Sequence, residues 1–426
     1  MAATLTEKVL ARAAGLSSVS AGEPVSARPD HAIAYDFPGF SDRLFDTLEA
    51  VGRAGVPSAA VLGHRVMFID HLTTRRSPRI DAVHAQTRAA AARHGFELHE
   101  GLGIGHQVAC ELGLAAPGAL IVHFDPHVAA AGAHGALALG IGSRYETIWA
   151  TGVWHTRVPA AVQVVLQGRL SDPVDARDLA HELVRTLPPG RVAGAVLEFD
   201  GPGLRGLSLG QRQTLCAMSV FTGAVTGVCL GGVDDAAAAR ADPDARYADR
   251  FEVDLARVEP LLVRPGSARP EHTVPVAALR GERITRAYVG SCSSGRIDDL
   301  RAVATMLEGR TVAAGVRCVV VPTSEAIRAQ AGREGLLARL ERAGVEIAEP
   351  SCDRCYGFAD PLADDDVCLS SGTLNVAGRM GSARARIVLA SAATVAASAA
   401  AGCVVDPREA GHDASNDPVR DPGAAR

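Results

Sequence analysis

Tyr288-Val289-Gly290-Ser291-Cys292-Ser293-Ser294-Gly295-Arg296 reads as an apolar strand running into a turn of small polar residues around one cysteine. Pro350-Ser351-Cys352-Asp353-Arg354-Cys355 follows about sixty residues later with a C-x-x-C pair at the end of another strand. A parallel sheet gathers the carboxyl ends of its strands along one edge, so both turns fall where three thiolates can meet. Iron–sulfur clusters are normally held by four cysteines. A cluster on three leaves one iron with an open position, able to act as a Lewis acid on a substrate hydroxyl or carboxylate. The same spacing also fits a structural C-x-x-C beside an unrelated core cysteine, and thiolates suit zinc as well.

Outward from these turns the pattern is βα repetition. Val66-Met67-Phe68-Ile69, Ala119 to Phe124, Ala287-Tyr288-Val289, Cys318 to Val321 and Ile387-Val388-Leu389 are apolar runs of strand length. Helical periodicity separates the later ones, over Ile297 to Leu307 and over Ala326 to Leu340, the second behind Ser324 as N-cap. Continuous apolar strands alternating with helices predict an α/β fold of parallel sheets covered on both faces. Polar residues follow the strands: Asp70-His71, Asp125-Pro126-His127, Ser291-Cys292 and Thr323-Ser324. Ligands in open α/β sheets bind outside these strand ends, so the four pairs make one candidate site. A carboxylate beside an imidazole holds its tautomer and raises its basicity. No Walker or G-x-G-x-x-G phosphate loop lies between a strand and a helix.

At 426 residues the chain has room for about three domains. Aromatics make up only 4%, so Ala, Val and Leu must do most of the packing. A formal charge of -5, with no cationic cluster, argues against a nucleic-acid binder. Met1 to Leu16 carries Glu7, Lys8 and Arg12 among its apolar positions, which predicts an amphipathic helix and not a signal peptide. A cytoplasmic setting is expected, and nine irregularly spaced cysteines suit reduced thiols there better than a disulfide framework. Ile387 to Val405 lacks charge and approaches the length of a membrane span. It is mostly Ala and Ser, so a buried strand followed by a small-residue helix is expected and no membrane contact. Asp406 to Arg426 is rich in Pro, Asp, Arg and Ala, the composition of a disordered tail.

The stretch 290 to 300, Gly-Ser-Cys-Ser-Ser-Gly-Arg-Ile-Asp-Asp-Leu, resembles the cluster-binding motif of the aconitase superfamily. Overall the chain is most similar to the large subunit of 3-isopropylmalate dehydratase and homoaconitase. The resemblance runs through Gly103-Ile104-Gly105-His106-Gln107, Asp125-Pro126-His127, the 132–142 stretch from Gly132-Ala133-His134 to Gly140-Ile141-Gly142, and Leu389-Ala390-Ser391, covering about residues 5 to 404 in order. It implies three α/β domains arranged around an iron–sulfur cluster, over residues 1–160, 161–280 and 281–404, with 405–426 as a disordered tail. It also implies a [4Fe-4S] cluster on Cys292, Cys352 and Cys355. Asp70, His71, His106, Asp125 and His127 match acid/base and hydrogen-bonding positions, and Arg296 and Arg379 match substrate-binding arginines. Single-chain aconitases add a swivelling fourth domain that supplies a serine base and an arginine. That domain is absent here, as in the split enzymes, so the resemblance implies a separate small subunit as partner.

Several positions depart from the family pattern. Pro126 replaces the serine of Asp-Ser-His. Ala217 and Phe221 replace the amide and carboxylate of Asn-Met-x-x-Glu, and Thr373 and Leu374 replace an asparagine and a carboxylate-binding arginine. Ser294 takes the place of an asparagine in the cluster motif. All three cysteines remain, which predicts a cluster protein with a rebuilt pocket. The leading reading is an iron–sulfur hydro-lyase or isomerase acting on a small hydroxy acid that is neither citrate nor isopropylmalate. The alternative is a non-catalytic or sensory cluster-binding protein, and zinc in the three-cysteine site is a third reading.

Overall fold

The computed structural model describes residues 2–53, 63–75, 77–142, 144–233 and 236–409. Three parallel-stranded sheets dominate it. The first has the order Glu97–Glu100, His64–Ile69, His31–Tyr35, Leu120–His123, Leu137–Gly140, all parallel. The second sets Thr226–Cys229, Val196–Asp200, Ala161–Gln167 and Asp249–Asp254 side by side, again all parallel. The third holds Arg386–Leu389, Val367–Ser370, Arg286–Val289, Arg317–Val320 and Val345–Ile347 in parallel, with Leu261–Val263 and Thr273–Pro275 antiparallel at one edge. A ribbon of Pro24–Ala27 and Trp154–Arg157 completes the strands. The five strands expected from apolar runs are all present. Leu261–Val263 and Thr273–Pro275 lie upstream of residue 281 yet pair into the third sheet.

Local chemistry explains the helices. The N-terminal helix Leu5–Ala14 starts at Thr4, whose side chain and that of Glu7 form a reciprocal capping box, and stops at Gly15 at φ 67°. Its first turn is also held by Glu198 of the second sheet, fully buried, which accepts from Leu5 N, Thr6 N, Thr6 Oγ1 and Tyr247 Oη. The helix expected over Ala326 to Leu340 is two, Glu325–Arg333 and Leu336–Arg342. Gly335, at φ 70°, takes the left-handed conformation that breaks the helical ladder. The uncharged run near the C-terminus is the strand Arg386–Leu389 followed by the buried helix Ala392–Ala401. Among the described residues no helix is long and apolar enough to cross a membrane. The first residues of the expected disordered tail are docked: Asp406 is buried and receives the Arg408 guanidinium at 2.6 Å. Residues 410–426 of that tail lie outside the described residues.

Two seams join the sheets where the site lies. Ile104 N donates to Thr323 O at 2.8 Å and Glu325 N to Leu102 O at 2.9 Å, which fastens a loop of the first sheet to one of the third. Gly103 sits between them at φ 117°, and a Cβ there would meet Ser324 Cα at 2.5 Å. Thr226 Oγ1 donates to Ala138 O at 2.6 Å, tying the second sheet to the first.

Candidate active site

Strand ends of the first sheet supply the imidazoles and carboxylates. Asp70 and His71 follow His64–Ile69, with His71 Nδ1 2.6 Å from Asp70 Oδ1, while Asp70 Oδ2 accepts from Gly105 N at 2.8 Å. Both are buried. Asp125 opens the 3-10 segment Pro126–His134 and accepts at Oδ1 from His127 N and from His127 Nδ1, each at 2.8 Å. His106, on the helix Gly105–Glu111, brings Nε2 to 3.5 Å from the same oxygen. Tyr35 lies between the two pairs: its hydroxyl donates to Asp125 Oδ2 at 2.9 Å, and its ring centroid is 4.5 Å from His71 and 6.0 Å from His106. Burial alone would raise the Asp125 carboxyl. The facing His127 and the hydrogen bonds from His106 and His127 outweigh it and hold Asp125 well below the usual carboxylate range.

The third sheet supplies the thiols. Cys292 follows Arg286–Val289 in a turn whose Ser291 has φ 95°, outside the range most side chains adopt. That turn is pinned: Gly290 N donates to Ser371 Oγ at 3.1 Å, and Arg296 donates to Cys292 O at 2.7 Å, Gln107 Oε1 at 3.0 Å and Thr214 Oγ1 at 3.1 Å. The Arg296 guanidinium therefore backs the cysteine from behind. Cys352 and Cys355 lie in the turn after Val345–Ile347, and Cys352 N donates to Asp70 O at 3.0 Å. Asp353, fully buried, accepts from Leu72 N, Thr74 N and Thr74 Oγ1, clamping this turn to the loop after His71. Arg379 lays its guanidinium carbon 3.5 Å above the Tyr356 ring and reaches Cys355 Sγ at 3.4 Å.

All three cysteines are free and buried. Burial, and then the charge of Asp125, push the Cys292 thiol up to about 12, and burial with Asp70 raises Cys352 well above the ordinary thiol value. Among the described residues the one His/Cys/Asp/Glu group with ligand atoms all within 4.8 Å of one another is Asp70, His71 and Cys352. The three cysteines are therefore spread wider than a single ion requires, because Zn–S bonds of ~2.3 Å put sulfurs roughly 3.8 Å apart. His71 Nε2, His106 Nδ1, His127 Nε2, Tyr288 Oη and Arg379 Nε are buried with no protein partner. Buried polar atoms are rarely left so. A multinuclear group with an attached anion, taking three thiolates and the facing polar atoms, fits this donor set.

The departing positions border the same place. The Phe221 ring centroid is 5.9 Å from that of His127, and Thr373 Oγ1 is 3.7 Å from Cys292 Sγ. Sequence reasoning missed an aromatic group beside them. Phe37 and Tyr356 lie 5.3 Å and 5.1 Å from His71 by ring centroid, and Phe358 stacks on Tyr356 at 5.5 Å. With Tyr35, three of the few aromatics in the chain thus gather at one imidazole. Tyr356 and Phe358, directly after the C-x-x-C, were the available signal.

Three α/β sheets that bring carboxylate-backed imidazoles and buried thiols to their strand ends define an enzyme-like α/β protein with a site between its sheets. The chain belongs to the aconitase family: the family model, described as aconitate hydratase, matches residues 46–239 and 230–402. The homoaconitase large subunit of Thermus thermophilus is 36% identical over 96% of this chain and 98% of its own length. The 3-isopropylmalate dehydratase large subunit of Mycolicibacterium smegmatis is 33% identical over 96% of this chain and 98% of its own length. Among solved structures, the holo-form of Thermococcus kodakaraensis aconitase X superposes with a TM-score of 0.51 at 12% identity, over 82% of this chain and 84% of that one, a likeness of fold.

Proposed function

We propose that this chain is the cluster-bearing subunit of an iron–sulfur hydro-lyase, with a [4Fe-4S] cluster on Cys292, Cys352 and Cys355 and a small hydroxy acid as substrate. The observation that carries the reading is the pair of unpartnered imidazole nitrogens, His71 Nε2 and His127 Nε2, each on a ring whose Nδ1 is held by a carboxylate, beside three buried thiols. When bound, the cluster supplies a Lewis-acidic iron for the substrate hydroxyl. Asp125 fixes the His127 ring through Nδ1, so Nε2 is placed to hand a proton to a departing hydroxyl and take it back on hydration. Asp70 fixes His71 in the same way. His106 adds a second imidazole on Asp125.

Arg379 is the cation placed for a substrate carboxylate, and burial, which would lower its pKa, is outweighed by Cys355 and Tyr356, which hold it charged. Arg296 we assign to positioning the Cys292 turn. With Leu374 half-buried and Phe221 against His127, a second carboxylate at that end would lack a partner. The substrate therefore carries fewer carboxylates than citrate, or an apolar or neutral group there, which Phe37, Tyr356 and Phe358 also favour. The relatives are named as large subunits, and we assign the missing serine base and arginine to a separate small subunit. Anaerobic purification followed by visible spectroscopy tests the cluster: Cys352→Ala abolishes the brown chromophore and Cys318→Ala keeps it. An unchanged spectrum in Cys352→Ala refutes the ligand set. Efficient turnover of citrate or isopropylmalate by the complex refutes the substrate reading.

A further inference from the structure

We propose that the Tyr288 hydroxyl donates a hydrogen bond to a sulfur of the group held by Cys292, Cys352 and Cys355 and so raises the reduction potential of that cluster. The inference rests on the cluster reading above and gives a role to a residue which that reading leaves unused. Tyr288 is 3% exposed on the inner strand Arg286–Val289 of the third sheet, between Val367–Ser370 and Arg317–Val320. Its ring packs with Val319, Val321, Leu362 and Met380 on one face of that sheet. It points along the strand toward the Cys292 turn: a Cβ on Gly290 would lie 2.7 Å from Tyr288 Oη, and one on Gly372 would lie 3.8 Å from Cε1. Glycine at both turns leaves room for the ring, and the hydroxyl reaches the base of the turn that carries Cys292.

There Oη is buried and, among the described residues, has no hydrogen-bond partner. A buried tyrosine hydroxyl usually finds an acceptor, and leaving it without one costs about 1–3 kcal/mol. The polar groups around it are engaged with one another: Tyr288 O accepts from Ser371 N at 2.9 Å, Ser371 Oγ accepts from Gly290 N at 3.1 Å and donates to Ser294 Oγ at 2.8 Å, and Val289 O accepts from Val321 N at 2.8 Å. What the hydroxyl faces is sulfur. Burial, and then the charges of Cys355, Cys352 and Cys292, hold the phenol well above its ordinary range. It therefore stays a neutral O–H, able to donate to a sulfur acceptor. Hydrogen bonds to the sulfurs are among the factors that set an iron–sulfur potential, because a donor stabilises the more negative, reduced form. The bond moves no proton to the sulfur and changes no ligand of the iron.

The test measures the reduction potential of the full chain carrying its cluster, by anaerobic titration with dithionite followed by electron paramagnetic resonance. Tyr288→Phe keeps the ring and removes only the donor. At equal iron and sulfide content its potential is expected to be lower than wild type, by roughly the tenfold change in oxidised-to-reduced ratio that one hydrogen bond gives, ~59 mV for a one-electron couple. Tyr288→3-fluorotyrosine has the more acidic phenol and nearly the same shape, so it is expected to raise the potential. It gives an independent reading should Tyr288→Phe fail to hold a cluster. Potentials equal to wild type in a variant with full cluster content, or shifts of the same sign in both variants, overturn the proposal. A wild-type chain that forms no chromophore overturns the cluster reading and this inference with it, whereas a wild-type chromophore whose potential ignores both substitutions overturns the Tyr288 assignment alone.

Discussion

Arg296 shows how one side chain separates two roles that sequence alone merges. Its guanidinium donates to Cys292 O, Gln107 and Thr214 at a position 2% exposed. Replacing it by Lys removes the planar fork that reaches all three. Arg296→Lys is expected to cost about 2–4 kcal/mol of stability and to lower the cluster content of purified protein, with KM unchanged in the molecules that retain a cluster. A raised KM at full cluster content would return Arg296 to the substrate. Asp125 gives a pH signature. Its native carboxyl is held below the unfolded value of about 3.8, so it contributes stability above that value and loses it as pH falls through the lower native one. The gap in denaturation midpoint between wild type and Asp125→Asn is therefore expected to be widest above pH ~4 and to shrink under acid. A gap that widens as pH falls contradicts the assignment.

At the scale of elements, the candidate site depends on a loop of the first sheet pressing on a loop of the third. Gly103 is the tightest point, with φ 117° and Ser324 Cα 2.5 Å from where a Cβ would be. Gly335, between two helices, has φ 70° with nothing within 4 Å. Gly335→Ala is expected to cost about 1–2 kcal/mol, the left-handed backbone alone. Gly103→Ala adds a backbone clash and is expected to cost more, ~3 kcal/mol or above, and to loosen the site, since Ile104 and Leu102 hold the seam. Thermal melts of the two variants compare them directly. Equal shifts would mean that the seam yields freely. The broken helix at Gly335 and the paired edge strand Leu261–Val263 were hard to read in the sequence. A single left-handed residue leaves the apolar period almost intact, and a three-residue strand is too short to show a period.

For the whole molecule, the expected outcome is that the isolated chain turns over little or no substrate, whereas co-expression with a cognate small subunit gives a complex that survives gel filtration and is active. Full activity of the single chain would refute the two-subunit reading. The sequence by itself determined the α/β repetition, the strand-end placement of Asp70-His71, Asp125-His127 and Cys292, and the family, because apolar strands and the polar turns that follow them are local in the chain. It also marked Phe221 and Thr373 as changed positions, and both border the site. Only the tertiary structure decided that Arg296 faces inward, that Asp353 clamps two turns 279 or more positions apart, that Tyr35, Phe37 and Tyr356 gather at His71, and that Cys352 N reaches Asp70 O. Those facts depend on how the sheets meet through the loops at their strand ends, and distances across such a seam leave no period or motif in the order of the residues.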